Sequence, residues 1–315
     1  MLDCTIVYLF LTTRNNINNL THYNILYQFM SSTAEDPRET LDSYLQTHAN
    51  PCLYILTPCY GGMCYTSYTK SIMATVEMLK QYNIDVHVEF CNSDSLVSRA
   101  RNNLIAKAMS DPLTTHILFI DADITWNPDD IIKLIISNKG LCGGVYPLKK
   151  YHWERMLKNP SGEPNYDVLS NWMEKKDKSI FKDILSDEEL VQHKLLNYNL
   201  NYVSNKIEIK NNMAEVRHIA TGFMMMKRTT IEKMMNAFQY TKYTDDIGFL
   251  KGEQNKYAYA LFDCGVENDH YLSEDWMFCE RWRKLGGTIH ADVTINLIHT
   301  GQEQYNGCYL STIMT

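Results

Sequence analysis

The chain has 315 residues, 45% of them hydrophobic and 21% charged, with a formal net charge of −7. That is enough apolar material for the core of one large α/β domain or two small ones. The acidic balance argues against an electrostatic nucleic-acid binder, which needs a basic face for phosphate contacts.

The first fifty residues read as an extension. A short apolar run at 4–11 gives way to Asn15, Asn16, Asn18 and Asn19. The run is far below the roughly 20 apolar residues of a membrane span. It also lacks the basic start and small-residue cleavage site of a signal peptide. Met30 is followed by small and acidic residues, as a translation start often is. Residues 1–29 are therefore expected to be weakly ordered or absent from the natural product. The nine cysteines are scattered and contain no CxxC pair. They point to a reduced, cytoplasmic setting, compatible with peripheral attachment to a membrane.

From residue 51 strands and helices alternate. A strand over 52–57 ends at Pro58 and a turn at Gly61-Gly62, followed by a helix over 65–82 with Ile72, Val76 and Leu79 on one face. A strand over 85–90 leads to a helix over 95–109 with Leu96, Ala100, Leu104 and Ala108 inward. Strand 116–120, helix 128–137 and strand 141–145 complete the first half. This alternation predicts βαβ units and a mainly parallel sheet, with right-handed crossovers placing the strand ends on one side. The pattern changes at Tyr146-Pro147. Residues 148–215 are polar, with one helix over 187–196 capped by Ser186, and read as an insertion or lid. Strands return over 216–226, then a helix over 229–235 and a polar loop over 240–270. Ser273 reads as the N-cap of a helix over 274–285 stopped by Gly286-Gly287, and a strand over 288–292 leads to His299.

Four groups of residues carry chemistry. Asp121 and Asp123 close the strand 116–120, at the strand ends where open α/β sheets bind ligands. Neither has a lysine or arginine nearby in sequence, so a divalent cation is one way to neutralise them. A turn cap at Asp123 beside a solvated Asp121 is the other reading. Arg99, Arg101 and Asn102 lie in the first turns of a helix, where free N–H groups favour a diphosphate, or equally form a solvated face with surface ion pairs. The loop 57–62 lacks both GxGxxG and a Walker lysine, which excludes the usual NAD and P-loop readings. It is either an ordinary connection or a cradle for a nucleoside base. Glu274 and Asp275 open a helix, as dipole-compensating acids or as a general base. His299 with two aspartates makes an N,O-ligand set suited to manganese, or less well to magnesium.

In order, SRARN at 98–102, FIDADI at 119–124, NPDDI at 127–131, TGF at 221–223, SEDWMFCERWRKLGG at 273–287 and IHTG at 298–301 resemble the nucleotide-sugar glycosyltransferases of GT-A fold, closest to the family-2-like group. The stretch from SRARN to DAD is also similar to Anp1-type mannosyltransferases. The resemblance covers roughly residues 51–147 and 216–301. It implies a Rossmann-like, mixed but mainly parallel sheet flanked by helices, with an inserted lid or acceptor region. The domain division it suggests is an extension over 1–50 and a GT-A domain over 51–315. Within that domain 51–147 is the nucleotide-binding half, 148–215 the insertion and 216–315 the acceptor and catalytic half.

The same resemblance implies a metal-dependent hexosyl- or N-acetylhexosaminyl-transferase that moves a sugar from a nucleotide-sugar donor, UDP- before GDP-, to a hydroxyl of a glycan, protein or lipid. Asp121, Asp123 and His299 would hold Mn²⁺ or Mg²⁺, and Asp121 would alternatively contact the ribose. Pro58, Tyr60 and Asp94 would lie against the base, Arg99 near the diphosphate, and Gly222 in the sugar and acceptor pocket. Asp275, with Glu274 beside it, would be the base of an inverting reaction. The two related groups differ in stereochemistry, so a retaining transferase is the alternative. Beyond it stand a nucleotidyltransferase, disfavoured by the lack of a glycine-rich loop with a lysine, and an inactive nucleotide-sugar-binding protein.

Overall fold

A computed structural model of the chain describes residues 37–158, 162–164, 167–179, 181–204 and 207–313. The expectations for residues 1–29, and the start at Met30, lie outside these residues.

The first described helix is α1 (Pro37–Thr47), followed by β1 (Cys52–Cys59), α2 (Thr66–Gln81), β2 (Asp85–Asn92), α3 (Val97–Met109) and β3 (His116–Ile120). After a short β4 (Ile124–Thr125) come α4 (Pro128–Ile136), β5 (Leu141–Val145), β6 (Pro147–Tyr151) and α5 (Glu154–Leu157). The next stretch holds α6 (Val168–Asp177), α7 (Asp187–Leu195), β7 (Leu196–Tyr198), β8 (Leu200–Tyr202) and β9 (Ile209–Lys210). The second half contains β10 (Met213–Ile219), β11 (Phe223–Lys227), α8 (Arg228–Ala237), β12 (Gly265–Glu267) and β13 (His270–Leu272). It closes with α9 (Glu274–Lys284), β14 (Ile289–Asn296), β15 (Ile298–Thr300), β16 (Gln304–Asn306) and α10 (Tyr309–Ile313).

The main sheet has nine strands in the order β2-β1-β3-β11-β5-β14-β10-β8, with β9 also on β10. β1 pairs in parallel with β2 and β3, and β5 with β14, whereas β11 and β10 run against their neighbours. The mixed α/β architecture expected from the sequence is thus present, and it is consistent with a GT-A, Rossmann-like arrangement. Period-two alternation divides each central strand between two cores. Tyr54, Leu56, Ile117, Phe119, Met224 and Met226 face one, and Leu53, Ile55, Leu118, Ile120, Phe223 and Met225 face the other.

Two stretches read as peripheral contribute to these cores. Leu41 of α1 is fully buried against the second. Phe181, Leu185 and Leu190 of the 148–215 stretch are buried in the first, and β8 and β9 extend the main sheet. Their apolar residues are too sparse to give a periodic signal, yet each meets a hydrophobic partner distant in sequence. The capping expectation at Ser186 holds: its side chain accepts from Glu189 N–H and Glu189 returns the bond. Among the described residues no helix is long and apolar enough to cross a membrane, and all eight described cysteines are free.

Two buried histidines make stability depend on pH. Burial, with Lys227 nearby, pushes His116 down to about 4, and burial likewise brings His193 to about 4. Below about pH 6.5 the unfolded chain therefore takes up these protons first, and the native state loses stability as pH falls towards 4, at about 1.4 kcal/mol per pH unit for each group. Thermal melts at pH 7.5, 6 and 5 should show a falling melting temperature, and His116→Gln should make that fall shallower. An unchanged slope in the variant would place the acid sensitivity elsewhere.

Candidate active site

Parallel pairing of β1, β2 and β3 sets their C-terminal ends side by side, and the loops beyond them form the cleft. The loops are tied together through the backbone. Ser93 N–H donates to Cys59 O at 3.2 Å, and Tyr65 N–H to Ala122 O at 3.0 Å. Asp121 N–H donates to Gly222 O at 3.1 Å, joining the end of β3 to the start of β11. A small sheet of β16, β15 and β4 then brings the C-terminal region to the same place, with His299 opposite Ile124. Thr300 N–H donates to Asp123 O at 2.8 Å.

Arg101 is the hub. Its guanidinium is buried, with Nη2 2.9 Å from Asp121 Oδ1 and Nε 3.3 Å from Glu274 Oε1, and it lies over the Phe119 ring at 5.2 Å. One side chain thereby links the SRARN, DAD and SEDW segments. The sequence reading left this arginine open between a phosphate ligand and a surface ion pair; its pairs are inside the cleft. Its Nη1 is buried without a hydrogen-bond partner among the described residues. Asn102, grouped with the arginines as a phosphate ligand, is otherwise engaged. It clamps Phe262, donating from Nδ2 to the carbonyl at 2.6 Å and accepting from the N–H at 2.9 Å. Arg99 points to the shoulder of the cleft, bonded twice to Asp94 at 2.9 and 2.8 Å. Asp94 also accepts from Leu96 N–H, and the Arg99 hydrogen bond holds its carboxyl below the usual range against the effect of burial.

Asp123 has acquired the cationic neighbour its sequence surroundings lack. Lys149 Nζ donates to Asp123 Oδ2, and His299 Nε2 stands 3.5 Å from the same oxygen. Burial raises the Asp123 carboxyl, but His299 and Lys149 outweigh it and hold the group below its usual value. His299 Nδ1 is 2.8 Å from Pro147 O, a bond in which only the nitrogen can donate. With Nδ1 donating, Nε2 is the nitrogen turned to Asp123, whose Oδ2 Lys149 also holds. Asp121 is turned to Arg101, and Asp121, Asp123 and His299 do not all offer ligand atoms within 4.8 Å of one another.

Asp275 is 8% exposed. It accepts from Ser273 Oγ and from its neighbour Trp276 N–H, so Ser273 serves this carboxylate instead of capping the helix with its side chain. Burial pushes the Asp275 carboxyl up, and Glu274 adds to the rise against the opposing hydrogen bonds and Arg101. Tyr146 stands nearby with its hydroxyl 3.3 Å from Gly222 N. A Cβ at Gly222 would meet the Tyr146 ring at 2.6 Å, so close approach of that ring, not a special φ, requires glycine there. Pro58 is half-buried at the end of β1, and Tyr60 is 76% exposed in the turn that follows.

Sequence reasoning missed Lys149 and Tyr146. The only available signal was their place just after the buried strand β5, and Lys149-Lys150 looked like solvated surface.

Residues 70–137 match the family Glycosyl transferase family 2, which supports a glycosyltransferase. The matched stretch contains Asp94, Arg99, Arg101, Asp121 and Asp123, and ends before Tyr146, Gly222, Glu274, Asp275 and His299. No curated protein matches. Among solved structures the chain is similar to one described as the crystal structure of A197 from STIV, at 12% identity and a TM-score of 0.39, covering 79% of this chain and 86% of that one.

The two arginines should behave differently. Arg101→Ala strands two partly buried carboxylates and should cost about 3–5 kcal/mol in denaturant unfolding, the usual loss when one partner of a buried pair is removed. Arg99→Ala should cost less, because the Arg99 side chain is itself 36% exposed and its removal opens the buried Asp94 carboxylate to water. Equal effects would mean that Arg101 is not the hub.

Proposed function

We propose that this protein is a metal-assisted, inverting glycosyltransferase acting between a nucleotide-sugar donor and an acceptor hydroxyl. The observation that carries the reading is the Arg101 bridge, which gathers Asp121, Glu274 and, through its neighbour, Asp275 at the strand ends of an α/β sheet. The family match over 70–137 independently supports the glycosyltransferase part of this reading.

In this reading Pro58, Tyr60 and Asp94 border the donor base, with Arg99 keeping Asp94 in place. Asp121 lies on the ribose or metal side of the donor. Nη1 is the one Arg101 nitrogen left for a diphosphate oxygen. Asp123 and His299 would hold Mn²⁺ in preference to Mg²⁺, because one ligand is an imidazole nitrogen, with Asp121 a further carboxylate of the same loop. When bound, the cation withdraws charge from the leaving diphosphate. Lys149 is the residue Asp123 would release on loading. The Nδ1 bond to Pro147 O keeps His299 in the tautomer that ligation requires.

Asp275 is the base. It takes the proton from the acceptor hydroxyl as that oxygen attacks the anomeric carbon, and its raised carboxyl pKa brings it towards working pH. Ser273 and Trp276 N–H fix its orientation, while Glu274 is committed to Arg101. Gly222, kept bare by Tyr146, lines the sugar pocket. A groove of about 870 Å³ beside Trp276, lined by Tyr202, Arg217, Tyr271 and Glu280 among others, provides rings and hydrogen-bonding groups for an acceptor such as a glycan. The donor we favour carries a hexose or N-acetylhexosamine on UDP before GDP.

The test of the metal is Asp123→Ala, which should abolish manganese-dependent donor hydrolysis and transfer while lowering the melting temperature only slightly. Near wild-type turnover at saturating manganese would remove the metal from this position.

The test of the base is Asp275→Asn. Donor and manganese affinity should stay close to wild type while turnover falls about 10²–10⁴-fold. The stability sign is also fixed. A raised carboxyl pKa means that the native state resists ionisation, so Asp275 contributes stability at low pH and loses it as pH rises through the native pKa. Asp275→Asn should therefore melt no lower than wild type at pH 7.5, with the difference shrinking on acidification. A product of retained anomeric configuration by NMR, or unchanged turnover in Asp275→Asn, would overturn the inverting mechanism.

A further inference from the structure

The end of the sheet opposite the cleft holds a second constellation. Cys52 is the first residue of β1, so about 20 Å of strand separates it from the loop beyond Cys59. β2 is the edge strand, and its His87 lies beside Tyr54 in the parallel register. Asp111 comes from the connection between α3 and β3. The thiol, an imidazole nitrogen and a carboxylate oxygen of these three residues all lie within 4.8 Å of one another. Ligands around tetrahedral zinc, at about 2.0–2.3 Å from the ion, stand about 3.3–3.8 Å apart, so a contraction of about 1 Å would close the set.

The surroundings are those of a built site. Tyr54 positions two of the three groups: its ring stacks on His87 at 4.5 Å and 15°, and its hydroxyl donates to Asp111 Oδ2 at 2.9 Å. Asp111 Oδ1 accepts from Leu113 N–H at 2.9 Å, leaving each carboxylate oxygen a further lone pair. Thr115 pins the Cys52 backbone, its hydroxyl accepting from Cys52 N–H at 2.8 Å and standing 3.1 Å from Cys52 O. Among the described residues, by contrast, the Cys52 thiol and both His87 ring nitrogens make no hydrogen bond. The nearest carboxylate to His87 is Asp85 at 3.9 Å. Cys52 is buried while His87 and Asp111 are half-exposed, so the site can be reached and its outer members can adjust. A groove of about 500 Å³ lined by Cys52, Asp85, Lys80 and Leu113, among others, opens beside it.

We infer that Cys52, His87 and Asp111 bind a zinc ion that clamps the α3–β3 connection to the edge of the sheet. Thiolate, imidazole and carboxylate together suit zinc better than magnesium or manganese, which prefer oxygen. Binding exchanges the Cys52 thiol proton, released to solvent, for a zinc–sulfur bond, and water completes the tetrahedron. The clamp is independent of the transferase chemistry and supports it only through the fold.

The experiment uses the full chain stripped with a chelator, then titrated with zinc against a chromophoric competitor. Asp123→Ala, which lacks the metal position of the cleft, should take up about one zinc per chain, and wild type at least as much, each with a raised melting temperature. The Asp123→Ala arm separates this site from the cleft. Cys52→Ser should weaken zinc by more than the roughly 10–100-fold that an outer-shell change costs, and cobalt should give a thiolate charge-transfer band that this variant lacks. Because Cys52 is buried, His87→Ala repeats the affinity test at a half-exposed position, with manganese-dependent turnover unchanged. Zinc uptake equal to wild type in both variants, or no uptake by Asp123→Ala, overturns the inference.

Discussion

A guanidinium buried between two carboxylates decides the shape of the cleft. Arg101 reaches Asp121 on one side and Glu274 on the other, across 173 residues of sequence. A buried arginine without partners is prohibitively costly, and so are two desolvated carboxylates that face each other. The ends of β3 and α9 are therefore held in a fixed relation, and Asp275, next in sequence to Glu274, is placed with them. The charge balance follows. Asp121 and Glu274 pair with Arg101, and Asp123 with Lys149 and His299, while burial, with Glu274 adding to it, raises the Asp275 carboxyl.

The segments around the cleft are anchored from the interior, which bears on how they can move. The loop between α8 and α9 is bonded at its far end by Asn102 to Phe262 and by Arg281 to the carbonyls of Ala260 and Leu261 at 2.7 and 2.8 Å. Residues 196–219 enter the main sheet through β8, β9 and β10. The turn at Tyr60 lies outside these anchors and is exposed. This is the usual division between a rigid scaffold and the loops that carry function.

The order of strands and helices from Cys52 to Val145 was legible because each element is buried on a predictable face. Continuous apolar runs mark the strands and 3.6-residue spacing marks the helices, so β3 and β5 have the bounds that the sequence implies. The 148–215 stretch was less legible. Its contribution to the core rests on a few residues such as Phe181 and Leu190, whose partners are remote in the chain. Ser273 illustrates the same limit at a single residue. A serine before two acids reads as a helix cap, whereas its hydroxyl binds Asp275.

The sequence alone determined which residue types the site contains and on which elements they lie: carboxylates at the end of β3 and the start of α9, arginines at the start of α3, a histidine after β14. Local burial and strand–helix alternation are properties of short stretches, and composition is enough to express them. Only the tertiary structure decided which of these groups meet. It joined Arg101, not Arg99, to Asp121, committed Asn102 to Phe262, brought Lys149 and His299 to Asp123, and set Cys52, His87 and Asp111 together at the other end of the sheet. Such pairings depend on strand order and crossover, which bring charges tens of residues apart to within about 3 Å, where desolvation makes each unpaired group costly and so selects its partner.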